Sequence, residues 1–65
     1  MKATSKKDVD IFAEIKRETP LAILVSDGIQ DVWLPKSQVE YDAPNLYNQT
    51  EITLPEWLAK NKGLI

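Results

Sequence analysis

The stretch Asp31–Gln38 has the sequence DVWLPKSQ, and Thr53–Leu58 repeats its central feature as TLPEWL. In each, an apolar strand pattern runs into Leu-Pro. Proline fixes φ and donates no backbone hydrogen bond, so we expect the chain to leave the sheet at each Leu-Pro and enter a helical turn. A tryptophan flanks each exit. Because tryptophan can bury more surface than any other side chain, we expect the core to form around one or both.

Two strands are predicted before this stretch. From residue 9 the sequence alternates, with an apolar face formed by Val9, Ile11, Ala13 and Ile15. Such period-two alternation is typical of a half-buried strand, and Phe12 falls on its polar face. Leu21–Val25 is apolar on both faces, which is typical of a central strand covered on both sides.

A hairpin turn is predicted around Gly28, because glycine tolerates positive φ at no steric cost. Two registers fit the returning strand. A turn centred on residues 27 and 28 pairs Ile23 with Val32, and a turn centred on residues 28 and 29 pairs Ile23 with Leu34. In both registers Trp33 lies on the face opposite to Ile23.

Two short strands, Val39–Tyr41 and Glu51–Leu54, and a helix at about residues 55–62 complete the pattern. Thr53 and Glu56 have the spacing of a capping box; alternatively, Leu54 is the cap and Pro55 the first helical residue. Gly63 suits a left-handed stop at the end of the helix. We therefore predict a mainly β fold: a small five-stranded antiparallel bent sheet or an SH3-like or OB-like barrel, with one short C-terminal helix. A flat sheet with the helix packed on one face is the alternative. Residues 1–7 are predicted to be a flexible tail, and residues 8–65 a single small domain.

The composition excludes much of enzyme chemistry. The chain has no histidine and no cysteine, so the commonest general base, metal ligand and low-pKa nucleophile are missing. Asp8 and Asp10 could form a carboxylate pair, but a solvated strand edge is the favoured interpretation. Lys36 and Ser37 are neighbours in an exposed turn and are not expected to aim at each other. We expect no enzymatic activity, no cofactor and no metal.

Charge and hydropathy bear on partners and location. Ser37–Trp57 contains four acidic and no basic residues, which disfavours a duplex binder and suits a basic partner or a nucleic-acid mimic. No stretch has the roughly 20 apolar residues that span a bilayer, and no secretory signal is evident at the N-terminus. The expected location is the cytoplasm of a bacterium or of an infected host cell.

Aromatic and cationic residues are the candidates for a binding surface. Both protein hot spots and single-stranded nucleic-acid sites combine these residue types, although core packing is the favoured role of each tryptophan. The candidate binding residues are Phe12, Lys16, Arg17, Trp33, Lys36, Tyr41 and Tyr47.

The sequences WLPKSQVE at 33–40, ITLPEWLA at 52–59 and KGLI at 62–65 together resemble a family of short hypothetical proteins from bacteriophages, prophages and bacteria. The resemblance covers about residues 21–65. It implies a phage or prophage origin, often in the company of replication and recombination functions, and it carries no catalytic or ligand residue onto this chain. We predict a non-catalytic binding module that contacts a protein partner in DNA metabolism or host takeover, or that forms a homodimer. Weak single-stranded nucleic-acid binding is the alternative.

Overall fold

The computed structural model describes residues 7–65, which form one antiparallel sheet of five strands and one short helix. The elements are β1 Asp8–Glu18, β2 Ala22–Ser26, β3 Asp31–Pro35, a 3₁₀ turn Lys36–Gln38, β4 Glu40–Tyr41, β5 Gln49–Pro55 and α1 Glu56–Asn61. The strand order in the sheet is β3-β2-β1-β5-β4. The predicted mainly β fold is confirmed. The predicted tail lies outside the described residues except for Lys7.

The long strand β1 is shared by the two halves of the sheet. Up to Glu14 it pairs with β5, and from Glu14 onward it pairs with β2, with a β-bulge between Ile15 and Arg17. A bulge bends its strand and increases the local twist. The two halves of the sheet therefore turn their apolar faces toward one shared core.

The sheet is open, and β3 and β4 are its two edges in the described part of the chain. These edges follow each other in sequence and are separated only by residues 36–39. In a flat five-stranded sheet they would lie about 19 Å apart. A connection that contains a 3₁₀ turn, with a rise of about 2 Å per residue, is too short to span that distance. The sheet is therefore strongly bent, and the observed form is the bent open sheet rather than the closed barrel.

The core is aliphatic, and the expectation that it forms around tryptophan is wrong. Trp33 is 43% exposed and Trp57 is 53% exposed. Trp33 precedes the buried Leu34 in β3 and so lies on the other face of the sheet. Trp57 precedes two buried residues of α1 and lies on the solvent side of the helix. The fully buried side chains are those of Ile23, Val25, Leu34, Ile52 and Leu54.

The β2–β3 hairpin adopts the second predicted register, in which Ile23 pairs with Leu34 and Leu24 with Trp33. The expectation that Leu21–Val25 is covered on both sides is wrong. Only one face of β2 is buried, because Ile23 and Val25 belong to the core cluster that includes residues of β5 and α1. Leu24 on the other face is half-buried, and Leu21 is 81% exposed.

The hairpin turn is held by the carboxylate of Asp27. Its Oδ1 accepts hydrogen bonds from the backbone N–H groups of Ile29 at 2.8 Å and Gln30 at 3.0 Å. Gly28 occupies the left-handed region with φ of 95°, which glycine adopts at no steric cost. The backbone hydrogen bonds from Gln30 and Ile29 lower the pKa of Asp27 below its ordinary value.

The hydrogen-bonded carboxylate of Asp27 should make the free energy of unfolding depend on pH in the acidic range. Because the folded-state pKa of Asp27 is depressed, its stabilisation is present above the unfolded-state pKa of about 4 and is lost as the pH falls through the folded-state pKa. An Asp27→Asn variant cannot titrate at this position. Its free energy of unfolding, measured by urea denaturation, should therefore fall less than that of the wild type between about pH 6 and about pH 3. Parallel pH profiles of the two proteins would contradict this assignment.

Two connections fix α1 at its ends. The predicted capping box of Thr53 and Glu56 does not form, because the Thr53 hydroxyl donates to Asp10 at 2.6 Å and the Glu56 N–H donates to the Lys7 carbonyl at 2.8 Å. At the other end Gly63 has φ of 74°, which confirms the predicted left-handed stop. The Gln30 side chain also donates to the carbonyls of residues 62 and 63, and this ties the hairpin to the helix end.

Candidate binding surfaces

Four of the five aromatic side chains lie on the surface. Besides the two tryptophans, Phe12 is 62% exposed and Tyr47 is 74% exposed. Single exposed apolar residues are ordinary. Aromatic side chains are nevertheless enriched in protein interfaces, where they supply large contact areas. Because the core is aliphatic, these four aromatic side chains each leave a substantial part of their surface available for contacts.

One aromatic residue, Phe12, stands in the middle of an acidic face. In the β1–β5 register Phe12 lies directly opposite Glu51. Asp10 and Glu14 precede and follow it by two residues on β1, so they point to the same side. We call this surface the acidic face; it consists of Phe12 with Asp8, Asp10, Glu14, Glu40 and Glu51.

Among the strand positions that form the acidic face, no side chain is cationic. In β4, β5 and the first half of β1, the outward-facing positions hold no lysine or arginine. Asp10 accepts the Thr53 hydroxyl, which orients its carboxylate without neutralising it. Like charges so close together repel one another, so a cationic ligand would be attracted to this face.

Two grooves border the acidic face. One of about 210 Å³ lies between the 3₁₀ turn and the end of β5 and is lined by Asp8, Glu40 and Thr53 among others. The other, of about 250 Å³, lies between Phe12 and the β2–β3 turn at Gly28. Phe12 therefore stands beside a recess on a sheet surface, a geometry in which an extended side chain of a partner could be enclosed.

The second half of the sheet carries the cationic candidates. On its outer face Arg17 pairs with Leu24, and Leu24 pairs with Trp33, so these side chains form a row across three strands. We call this row, with the adjacent Lys16, the cation–aromatic face. The Nζ atom of Lys16 lies 4.0 Å from a carboxylate oxygen of Asp31.

The remaining predicted residues lie elsewhere. Lys36 forms an ion pair with Glu18. Tyr41 is half-buried opposite Ile52, on the core side of β4, and lines a groove of about 300 Å³ with Lys16 and Arg17. Tyr47 is in the loop before β5. The backbone N–H of Tyr47 donates to the side-chain oxygen of Asn45 at 2.8 Å. The seven predicted residues therefore do not form one site. Lys16 and Arg17 line a groove with Tyr41, Trp33 lies two strands away from Arg17 in the same cross-strand row, and the other residues stand apart.

Sequence reasoning missed two features. Trp57 is expected in the core, but it lies outside. The sequence signal is the apolar pair Leu58-Ala59 that directly follows it, because these two residues form the buried side of the helix. The acidic face was missed because its carboxylates come from β1, β4 and β5. Each of these strands shows the polar alternation, but their pairing joins opposite ends of the sequence and cannot be read from local pattern.

Among residues 7–65, no group of three or more acidic side chains is placed to hold a metal ion. In that same range no helix has the length and apolar character needed to cross a membrane. Comparisons with protein-family models, curated proteins and solved structures found no match for this chain. Any function must therefore be argued from the surfaces described above.

Proposed function

We propose that this chain is a non-catalytic binding module that holds a basic protein partner against its acidic face. The observation that carries the proposal is the exposed Phe12 surrounded by carboxylates from three strands. Burial of an aromatic ring would supply apolar contact energy, and the carboxylates would select for lysine and arginine around it. The setting we propose, phage DNA metabolism or host takeover in the bacterial cytoplasm, rests on the sequence resemblance.

Physical chemistry favours binding over catalysis at this face. Its side chains project from a rigid antiparallel pair, β1 and β5, so little conformational entropy is lost on contact. The bordering grooves are open to solvent, whereas general acid–base catalysis by carboxylates needs a site that raises their pKa by burial. An exposed carboxylate cluster instead increases the rate of encounter with a cationic partner, and this rate falls with ionic strength.

A cationic peptide can test the proposal. We expect a fluorescein-labelled peptide of alternating arginine and alanine to bind the full chain at low salt, with affinity lost as sodium chloride is added. The variant Glu51→Lys, which reverses one central charge, should weaken binding of this peptide about tenfold. The variant Phe12→Ala should weaken binding of a second peptide, which also contains leucine, by about the same factor. Fluorescence anisotropy measures both dissociation constants.

The matched control is Asp31→Lys, which makes the same change in net charge on β3, two strands away from β1. If the location of the charge matters more than the total charge, Asp31→Lys should raise the dissociation constant of the peptide by less than about threefold. Absence of binding at about 1 mM peptide and low salt would contradict the proposal, as would equal losses from Glu51→Lys and Asp31→Lys.

Single-stranded nucleic acid is the second candidate ligand, favoured by the row of Arg17, Leu24 and Trp33 on the cation–aromatic face. Stacking on tryptophan and neutralisation of phosphate by arginine would supply the contacts. The ion pairs that Lys16 and Lys36 make with Asp31 and Glu18 reduce the positive charge available there.

Fluorescence can separate the two candidates. A Trp57→Phe variant leaves Trp33 as the sole tryptophan, so quenching by an oligothymidylate would report stacking at the cation–aromatic face. Binding should be reversed by salt, because phosphate contacts release counterions. A flat titration at low salt would eliminate nucleic acid as a ligand of Trp33.

A further inference from the structure

We propose that β3 is a self-association edge, at which two copies of this chain pair their β3 strands antiparallel about a two-fold axis at Trp33. This inference goes beyond the proposed partner binding and concerns a different part of the molecule. β3 lies at one edge of the sheet, whereas the acidic face is built on β1, β5 and β4.

The hydrogen-bond pattern of the β2–β3 ladder defines the open edge. The Asp27 N–H donates to the Gln30 carbonyl, and the Lys36 N–H donates to the Leu21 carbonyl at 2.8 Å. Hydrogen-bonded and non-hydrogen-bonded pairs alternate along an antiparallel ladder. Residues 30, 32, 34 and 36 therefore turn their backbone groups toward β2. Asp31, Trp33 and Pro35 turn theirs outward to the edge.

These outward groups complement a second copy of themselves. When two β3 strands pair antiparallel about Trp33, the N–H and C=O groups of Trp33 exchange hydrogen bonds with those of Trp33 in the second copy. The N–H of Asp31 then meets the carbonyl of Pro35 in the second copy. Pro35 has no N–H to leave unpaired. Every outward donor of β3 therefore finds an acceptor, which is the condition for stable strand addition.

The side chains on this edge also fit a two-fold arrangement. The two exposed Trp33 rings would lie side by side across the axis, next to Leu24 and Pro35 on the same face, and cross-strand aromatic pairs stabilise a sheet. Asp31 of one copy would lie opposite Pro35 of the other, so no like charges face each other at either end of the contact.

Closed pairing of two copies suits this edge better than a longer added strand. Pro35 ends β3, and the chain turns at once into the 3₁₀ segment Lys36–Gln38, so the edge offers only the short run from Asp31 to Pro35. The opposite edge, β4, has two residues, too few for a further copy to pair stably. A two-fold contact uses the same patch on both copies and therefore ends with the dimer.

Disulfide trapping can test this register, because the chain has no cysteine of its own. Residues directly opposite in a hydrogen-bonded antiparallel pair have Cα atoms about 5.5 Å apart, within the range that a disulfide spans. Under mild oxidation the Trp33→Cys variant should form dimers at least about tenfold faster than the Trp57→Cys variant, whose position has similar exposure. Asp31→Cys should also be slow, since the two copies of residue 31 lie at opposite ends of the contact.

Sedimentation equilibrium tests association of the unmodified chain. The average mass should rise from the 7.4 kDa of the monomer toward twice that value as the concentration increases. Asp31→Pro removes an outward N–H and no bond to β2, so it should keep the fold, followed by circular dichroism, and weaken the dimer at least about tenfold. A wild type that stays monomeric at about 1 mM would overturn the proposal. So would trapping of Trp33→Cys no faster than Trp57→Cys, or fastest trapping of Asp31→Cys.

Discussion

Replacing Leu34 by alanine should lower the free energy of unfolding by about 3 kcal/mol, whereas replacing its larger, partly exposed neighbour Trp33 by alanine should lower it by only about 1 to 2 kcal/mol. Leu34 is completely buried between the two halves of the sheet, and its truncation leaves a cavity in the core. Trp33 points to the outer face and is 43% exposed, so its truncation removes part of a surface contact and leaves no enclosed cavity.

The loss at Leu34 is large for a chain of 65 residues. At about 0.05 to 0.15 kcal/mol per residue, the whole domain is expected to be stable by about 3 to 10 kcal/mol. Leu34→Ala should therefore remove between about a third and all of the stability of the domain. Urea denaturation followed by far-ultraviolet circular dichroism measures both variants on the same scale. The reverse ranking, with Trp33→Ala the more damaging, would place the tryptophan in the core and contradict the fold.

Introducing proline at Leu24 should cost about 3 kcal/mol or more. β2 lies between β1 and β3 in the sheet, and its residues alternate in their hydrogen bonding to the two neighbours. The N–H of Leu24 points toward β1, where Leu24 pairs with Arg17. Proline at this position removes that donor inside the sheet, where proline is rarely tolerated.

Asp31→Pro is the matched control, since it places the same residue in the neighbouring strand at a position whose N–H points away from the sheet. It should cost less than about 1 kcal/mol, because the chain already accepts Pro35 four residues later on the same edge. Thermal unfolding at a protein concentration below that of any self-association compares the two variants. Equal destabilisation by both prolines would mean that β3 is not an edge strand.

Local pattern predicted the parts of the fold that depend on near neighbours. The alternation from Val9 to Ile15 marked β1, Gly28 marked the hairpin turn, and Gly63 marked the end of α1. In both cases glycine was informative because the backbone has positive φ there. The alternation of side chains along the hairpin, which is the same in both predicted registers, correctly placed Trp33 and Ile23 on opposite faces of the sheet.

This alternation does not indicate which face of the hairpin is buried. Leu24 and Trp33 on one face, like Ile23 and Leu34 on the other, are large and apolar. Hydrophobicity alone therefore does not indicate which of the two faces is buried. The buried face is the one whose residues, Ile23 and Leu34, cluster with residues of β5 and α1. Pairing between β1 and β5 likewise gathers the carboxylates around Phe12, and no short-range signal specifies that contact.

The shared strand β1 also has a consequence for folding kinetics. Its pairing with β2 closes a short loop, but its pairing with β5 joins residues that are 35 (Glu14 and Gln49) to 47 (Asp8 and Pro55) positions apart. Loop-closure entropy delays such remote contacts, and a high contact order is associated with folding in milliseconds to seconds rather than microseconds. The β1–β2–β3 meander should therefore be able to nucleate early, while the surface around Phe12 comes into existence only at the final, cooperative docking of β5.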